Sequence, residues 1–324
     1  MNRLLAWVAA ALAAIAPFHP AEAQSAWPTK PIKLINPFPA GGGTDTFARP
    51  LAAVLAKQLG QQVIVENIGG AGGTVGATRA AKEAPDGYTF LIGAVHHTIA
   101  PSVYAKLQYD IEKDFVPVTL LATVPNVVVV QPKHAFATVK EVEVFARANP
   151  GRLNFGSPGS GTSQHLAGEL FKVRTGTDMV HVPYRGLGPA MQDFLGGNLD
   201  LLFDGMGASA AQIRAGKARP VGLMAAKRSP QYPDIPTLAE QGYSGMEVST
   251  WYGLWAVRGT PKEIVERMYV EVVKALQDPV VKVAWENAAA ESGGQPPDQF
   301  EKFVREEIER WAKVAKAAGA RVDN

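Results

Sequence analysis

The residues best placed to do chemistry stand in three glycine-rich stretches, each between a short apolar run and an amphipathic one. The first, "NPFPAGGGTDTFARPLAAVL", begins at Asn36; the second, "VENIGGAGGTVGA", at Val65; the third, "NFGSPGSGTSQHLAGEL", at Asn154. Glycine lets backbone N–H groups approach a ligand closely, and a helix N-terminus presents unpaired donors with partial positive charge. The natural guest of such a loop is an anion. In the first stretch Gly41, Gly42 and Gly43 are followed by the hydroxyls of Thr44 and Thr46, with Asp45 as the expected helix N-cap. In the third, Ser157, Ser160, Thr162 and Ser163 crowd around Gly156, Gly159 and Gly161. Each stretch alone also reads as a tight, well-capped strand-to-helix turn. Two of them facing each other across a cleft would suit a dicarboxylate or another small anion, each N-terminus contributing roughly 0.3–1 kcal/mol, up to about 2 when partly buried.

The middle stretch tempts one toward a dinucleotide fingerprint, but Gly70-x-Gly72 is followed by Gly76 instead of a glycine three residues on. No G-x-x-x-x-G-K-[ST] occurs in the first stretch either. Close helix packing is the reading for these glycines, with Gly72 to Thr74 as the part that could touch a ligand. A serine hydrolase fares no better: "GTSQH" around Ser163 has His165 where G-x-S-x-G needs its second glycine. His165 and His181 could act as bases, yet no spacing pairs them with an orienting acid. His96 and His97 are adjacent, without H-x-x-x-H or H-E-x-x-H spacing, so neither a metal site nor an enzyme is expected. His97, in "GAVHHT", leaves the end of a strand toward the cleft, whereas His134 and His181 read as buried or loop-capping. Asp204 ends the "LDLLFD" strand and can reach the cleft; Asp200 caps its start.

These groups need a scaffold, and the chain supplies an alternation. "IKLIN", "VIVEN", "YTFLIG", "LNFGS", "MVHVPY", "LDLLFD" and "RPVGLMA" alternate with helical stretches, including about 44–59 and 163–174. Such βα alternation predicts parallel sheets covered by helices on both faces. Two longer extended stretches, "FVPVTLLATVPNVVVVQP" and "EVSTWYGLWAV", break the rhythm and read as two crossings between domains. Domain 1 is then discontinuous, residues 24–123 and 253–324, and domain 2 is residues 124–252. The helices "PKEIVERMYVEVVKALQ" and "PDQFEKFVREEIERWAKVAKAA" pack back on domain 1.

Net charge is only +2, with no block of like charges, which excludes a nucleic-acid surface and an electrostatic tail. Cysteine is absent, so there is no disulfide framework and no thiolate chemistry. Residues 1–23 read as a secretory signal peptide: Arg3, an apolar run from Leu4 to Phe18, and Ala21-Glu22-Ala23 with cleavage expected after Ala23. An uncleaved anchor would need a longer run, near the roughly 20 residues of a bilayer span. The expected location is a bacterial periplasm.

Taken in order, "WPTKPIKLINPFPAGGGTDTFAR", "VENIGGAGGTVGA", "APDGYTFLIG", "GTSQHLAGELF", "VHVPYRGLGPAMQDFLGGNLDLLFD" and "WYGLWAVRGTPKEIVERM" closely resemble the substrate-binding receptors of tripartite tricarboxylate transporters, the Bug family. The resemblance spans essentially the whole mature chain. It implies a two-lobed type II periplasmic binding protein, each lobe a mainly parallel sheet flanked by helices, closing on a carboxylated metabolite: a di- or tricarboxylate, an acidic amino acid or an aromatic carboxylate. It implies a ligand carboxylate held by loops of both lobes, partly through water. Carried over by motif, the first loop contributes Phe38, Ala40, Gly41, Gly42, Thr44 and Asp45. The second contributes Ser157, Gly159, Ser160, Thr162, Ser163 and His165, and Asp204 faces the cleft. Asn36 stands where an apolar residue is usual and Arg185 where lysine is common. His96 and His97 fill a loop that is more often Ser- and Thr-rich, which makes them candidates for this member's specificity. The resemblance further implies a monomer that needs no cofactor, performs no chemistry, and docks on a membrane permease of a large and a small subunit. A receptor handing its loaded state to a sensor, and more remotely a periplasmic hydrolase, are the alternatives.

Overall fold

A computed structural model describes residues 27–317 and 319–321. The expected signal peptide, residues 1–23, and its cleavage point lie outside the described residues. Among the described residues no helix is long and apolar enough to cross a membrane.

Lobe 1 opens with β1 (Ile32–Asn36), α1 (Gly43–Leu59), β2 (Val63–Asn67), α2 (Thr74–Ala81), β3 (Thr89–Ala94) and α3 (His96–Val103). The chain then leaves through β4 (Phe115–Val130). Lobe 2 follows with α4 (Val139–Ala148), β5 (Asn154–Ser157), α5 (Ser163–Thr175), β6 (Val180–Pro183), α6 (Leu187–Leu195), β7 (Leu201–Gly205), α7 (Met206–Arg214) and β8 (Arg219–Met224). It returns through β9 (Ser249–Val257) to α8 (Lys262–Ala275), α9 (Pro279–Glu286), β10 (Glu291–Ser292) and α10 (Pro297–Ala317).

Strand order is β2-β1-β3-β9-β4-β7-β5-β6, with β8 and β10 also pairing β4. The expected parallel pairing holds where βα units follow one another: β1 with β2 and β3, and β5 with β6 and β7. The two long strands add antiparallel pairing, because one carries the chain out of lobe 1 and the other brings it back. β9 runs antiparallel to β3 and to the first part of β4. From Asn126 to Val130, β4 pairs instead with β7 and β8 of lobe 2. One unbroken strand, about 50 Å long at ~3.3 Å per residue, therefore belongs to both sheets.

Apolar side chains alternate to both faces of each sheet, and helices cover them. In lobe 1, α1, α8 and α9 enclose Phe47, Leu51, Met268 and Trp285, while α2, α3 and α10 enclose Ile99, Trp251, Trp255 and Phe300 on the other face. In lobe 2, α5 covers Phe155, Phe171 and Phe203, and α6 and α7 cover Phe194, Leu202 and Met206. Each buried side chain of this size contributes roughly 1.5–3 kcal/mol. That is enough to hold the loops at the carboxyl ends of β1, β3, β5 and β7 in fixed places, and these loops open toward the space between the lobes.

Candidate functional site

The first loop is built around one carboxylate. The pairing of β1 with β2 sets Asn36 beside Asn67, and both reach Asp45 (Nδ2 to Oδ1 3.5 and 3.1 Å). The other Asp45 oxygen accepts from the Gly41 N–H at 3.0 Å and from Arg49 Nε at 2.7 Å. Asn67 also donates to the Phe38 carbonyl, and Asn36 accepts from the Phe38 N–H. The expected N-cap role of Asp45 is corrected: Gly42 is the N-cap of α1, and Asp45 lies in its first turn, folded back over the loop. Burial works to raise its pKa, but the hydrogen bonds from Arg49, Gly41 and Asn67 outweigh it and hold the carboxyl below its ordinary range. Asp45 is thus a brace behind the loop. The unbonded N–H groups at the start of α1 and the Thr44 side chain face the cleft.

The third glycine stretch, between β5 and α5, is braced differently. Thr162 is the N-cap of α5; its hydroxyl accepts from the His165 N–H and donates to the Gly159 carbonyl at 2.7 Å. His165 Nδ1 accepts from the Gly161 N–H at 3.2 Å. Ser157 is fully buried, 2.7 Å from His181 Nε2, with its hydroxyl tied to the Gly159 backbone. This serine–histidine contact is absent from any sequence spacing. Among the described residues His181 bonds no carboxylate; instead its ring stacks on His165 at 4.2 Å and on Phe155. Burial, then His165 and Lys172, push His181 down to about 3, and burial lowers His165 as well. Both rings are neutral struts of the turn.

The two loops come together at one small cavity. Phe38, Gly42, Gly43 and Thr44 of the first loop and Pro158, Ser163 and Gln164 of the other line it. The rest of the wall is Ala94, Val95 and His96 after β3, Leu187 at the start of α6, and Thr250 and Tyr252 on β9. The Ser163 hydroxyl has one proton to give, to Gln164 Oε1 at 3.1 Å or to Thr250 Oγ1 at 3.3 Å, and Thr250 donates its own to Asn126 Oδ1 at 2.8 Å. A polar chain thereby ties the start of α5 to both crossing strands. About 30 Å3 remains open inside, more than one ordered water needs, and the lobes touch around it. A Cβ on Gly186 would fall 2.6 Å from Pro39, and one on Gly72 3.0 Å from the Ser160 carbonyl. The Tyr104 hydroxyl lies 2.9 Å from the Ala71 carbonyl in lobe 1 and 3.0 Å from the Ser160 carbonyl in lobe 2. This is a closed cleft.

Of the residues named from sequence, Phe38, Gly42, Gly43, Thr44, His96 and Ser163 line the cavity. Ala40, Gly159 and Ser160 sit where lobe meets lobe, Ala40 through its carbonyl near Gly188. Gly41, Asp45, Ser157, Thr162 and His165 brace the loops from behind. His97 does not reach the cavity: it is fully buried in α3, with Nδ1 2.8 Å from the Tyr109 hydroxyl, and burial pushes it down to about 3. Helix geometry explains the exchange, since α3 starts at His96 and turns that ring, not the next, toward the cleft. Burial, then His97, hold His96 well below its ordinary value, so it too is uncharged. Asp204 lies at the end of β7, 1 % exposed; Oδ2 accepts from Ser209 at 2.6 Å and Oδ1 has no partner among the described residues. Burial raises it to about 7, against the hydrogen bonds from Ser209 and Gly205. Gln164, Leu187, Thr250 and Tyr252 were not legible as cavity residues, the last two because a crossing strand carries no loop motif. Among the described residues no Lys or Arg lines the cavity, and no group of three His, Cys, Asp or Glu could hold a metal ion.

A family model described as tripartite tricarboxylate transporter family receptor matches residues 47–320. The fold is similar to that of the periplasmic binding protein BugD, at 34 % identity and TM-score 0.88 over 91 % of this chain and 99 % of that one. An R. palustris protein solved with adipate is 38 % identical, with TM-score 0.89 over 91 % and 100 % of the two chains. MatC from Rhodopseudomonas palustris, with bound malate, is 34 % identical, with TM-score 0.85 over 89 % and 99 %.

Proposed function

This chain belongs to the tripartite tricarboxylate transporter receptor family, whose fold is that of the two-lobed type II periplasmic binding proteins, and from that premise we propose that it captures a small carboxylated metabolite between its lobes for uptake. One observation carries the reading. The first turns of α1 and α5, one from each lobe, deliver Thr44 and Ser163 to a single cavity. A carboxylate there meets unpaired N–H groups and hydroxyls from both sides, and only in the closed form does it meet both. Differential contact of that kind is what makes a ligand favour closure. The relatives solved with adipate and malate support a carboxylate as the ligand class.

In this proposal the lobes divide as residues 24–123 with 253–324, and 124–252, hinged on β4 and β9. The mature protein acts as a periplasmic monomer, released from residues 1–23, and its closed form docks on a two-subunit permease.

A thermal-shift screen of the mature protein with mono-, di- and tricarboxylates, acidic amino acids, aromatic carboxylates and nucleotides tests it. Ligand at a hundred times its dissociation constant adds about 2.7 kcal/mol of stability. A shift with one carboxylate class that Thr44→Ala plus Ser163→Ala abolishes is the expected result. A shift with nucleotides alone would sink the reading.

A further inference from the structure

Tyr252 sits at the cavity and has no role in the loop motifs. We propose that its hydroxyl is a direct donor to the ligand's carboxylate, a binding residue that completes a charge-neutral anion seat with Thr44 and the first turn of α1; this rests on the receptor reading above.

Tyr252 is 3 % exposed and lines the cavity. Its ring stacks on Phe47 of α1, centroids 4.3 Å apart at 25°. The hydroxyl lies against the first residue of that helix: a Cβ on Gly43 would fall 2.5 Å from Tyr252 Oη. Gly43 is therefore glycine to make room for a phenol oxygen, at the point where the helix presents its unpaired N–H groups.

A buried phenol normally finds a hydrogen-bond partner, yet among the described residues this one has none. Its oxygen faces the cavity instead. Burial, reinforced by the carboxyl of Asp204, drives its pKa far above the ordinary range, so the group is a donor at every physiological pH. The surrounding inventory makes such a donor matter. With His96 neutral and no Lys or Arg in the wall, an anion here is held by hydrogen bonds from neutral groups alone. Each fixed donor then carries a large share of the affinity.

The test is Tyr252→Phe in the mature protein, which keeps the ring stacked on Phe47 and removes only the oxygen. The probe is the tightest-binding member of a panel of malate, adipate, citrate, glutamate and benzoate, titrated by calorimetry. Binding weakened about 10-fold or more, with the melting temperature of the unliganded protein unchanged, is the expected outcome. Equal affinity for Tyr252→Phe and the parent overturns the proposal and leaves the receptor reading standing. Failure of the parent to bind any panel carboxylate removes both. Should the variant fold poorly, the parent labelled at tyrosine Cζ answers the question by NMR. The Tyr252 resonance moves on adding the probe if the hydroxyl bonds it, and a resonance that stays fixed refutes the assignment.

Discussion

Two carboxylates near the cleft lie in opposite electrostatic situations, and each yields a test. Asp204 is pushed up to about 7 by burial, above the 3.8 of the unfolded chain. Its folded form therefore holds a proton that the unfolded form releases across the window from about pH 4 to 7. Stability from this group is fully present below that window and is lost as pH rises through 7, a loss of up to roughly 4 kcal/mol. Its charge also acts on Tyr252, at the proposed anion seat. Carboxylate affinity is expected to fall about 5-fold or more between pH 6 and 8, and Asp204→Asn to flatten that profile. Calorimetry at both pH values checks it; an equally steep profile in the variant would clear Asp204 of the effect. Asp45 has the opposite sign. Its pKa is depressed despite burial, so its contribution is present above the ordinary carboxylate range and is lost as pH falls through its folded value. Asp45→Ala strips the first loop of four hydrogen bonds and should cost about 1–3 kcal/mol in urea unfolding at pH 7. The gap to the parent should shrink toward pH 3.

At the scale of elements, the middle glycine stretch has a role that its spacing does not announce. It ends in α2 and presents Ala71 and Gly72 to the other lobe, where Tyr104, just past α3, lies between the Ala71 and Ser160 carbonyls. The phenol's one proton lies between the two carbonyls, a three-centre bond with one arm in each lobe. In an opened protein Ala71 still accepts it; in the closed one Ser160 shares it. Closure thus gains a cross-lobe bond without leaving a buried hydroxyl bare on opening. Tyr104→Phe is expected to weaken ligand binding about 3- to 10-fold, about 1 kcal/mol, chiefly through faster dissociation, with little change in unliganded melting. Identical dissociation rates by stopped flow would remove the latch. The βα units, the two long strands and the first turns of α1 and α5 were legible in the sequence because hydrophobic period and glycine placement are local signals. Asp45 as a brace, Ser157 on His181, and Thr250 and Tyr252 in the wall were not, because each depends on which strands lie side by side. The His96/His97 choice failed for a related reason: the start of α3 sets it, and a strand reading of "GAVHH" cannot supply the helical turn.

For the whole molecule, the cleft works only if two rigid lobes meet at glycines small enough to let them. Gly188, in the first turn of α6, offers a clean way to ask this. A Cβ there would meet nothing within 3.5 Å, and its nearest neighbour is the Ala40 carbonyl of the opposite lobe. Its backbone is helical, so a side chain there needs no change of backbone and gains helix propensity, roughly 0.5–1 kcal/mol over glycine. Gly188→Leu therefore places a wedge that acts on closure alone. If closure is coupled to binding, a ligand that once met donors from both lobes now meets those of one. Its affinity falls by the closed state's share of the contacts, and a shift of the two-state balance by about 3 kcal/mol corresponds to roughly 100-fold. The unliganded variant should melt at or slightly above the parent. Small-angle scattering should show the parent compacting with saturating carboxylate while Gly188→Leu keeps its unliganded radius of gyration. Were the variant to bind as tightly as the parent without compacting, one lobe alone would hold the ligand. The meeting of α1 and α5 at one cavity would then be packing, not recognition.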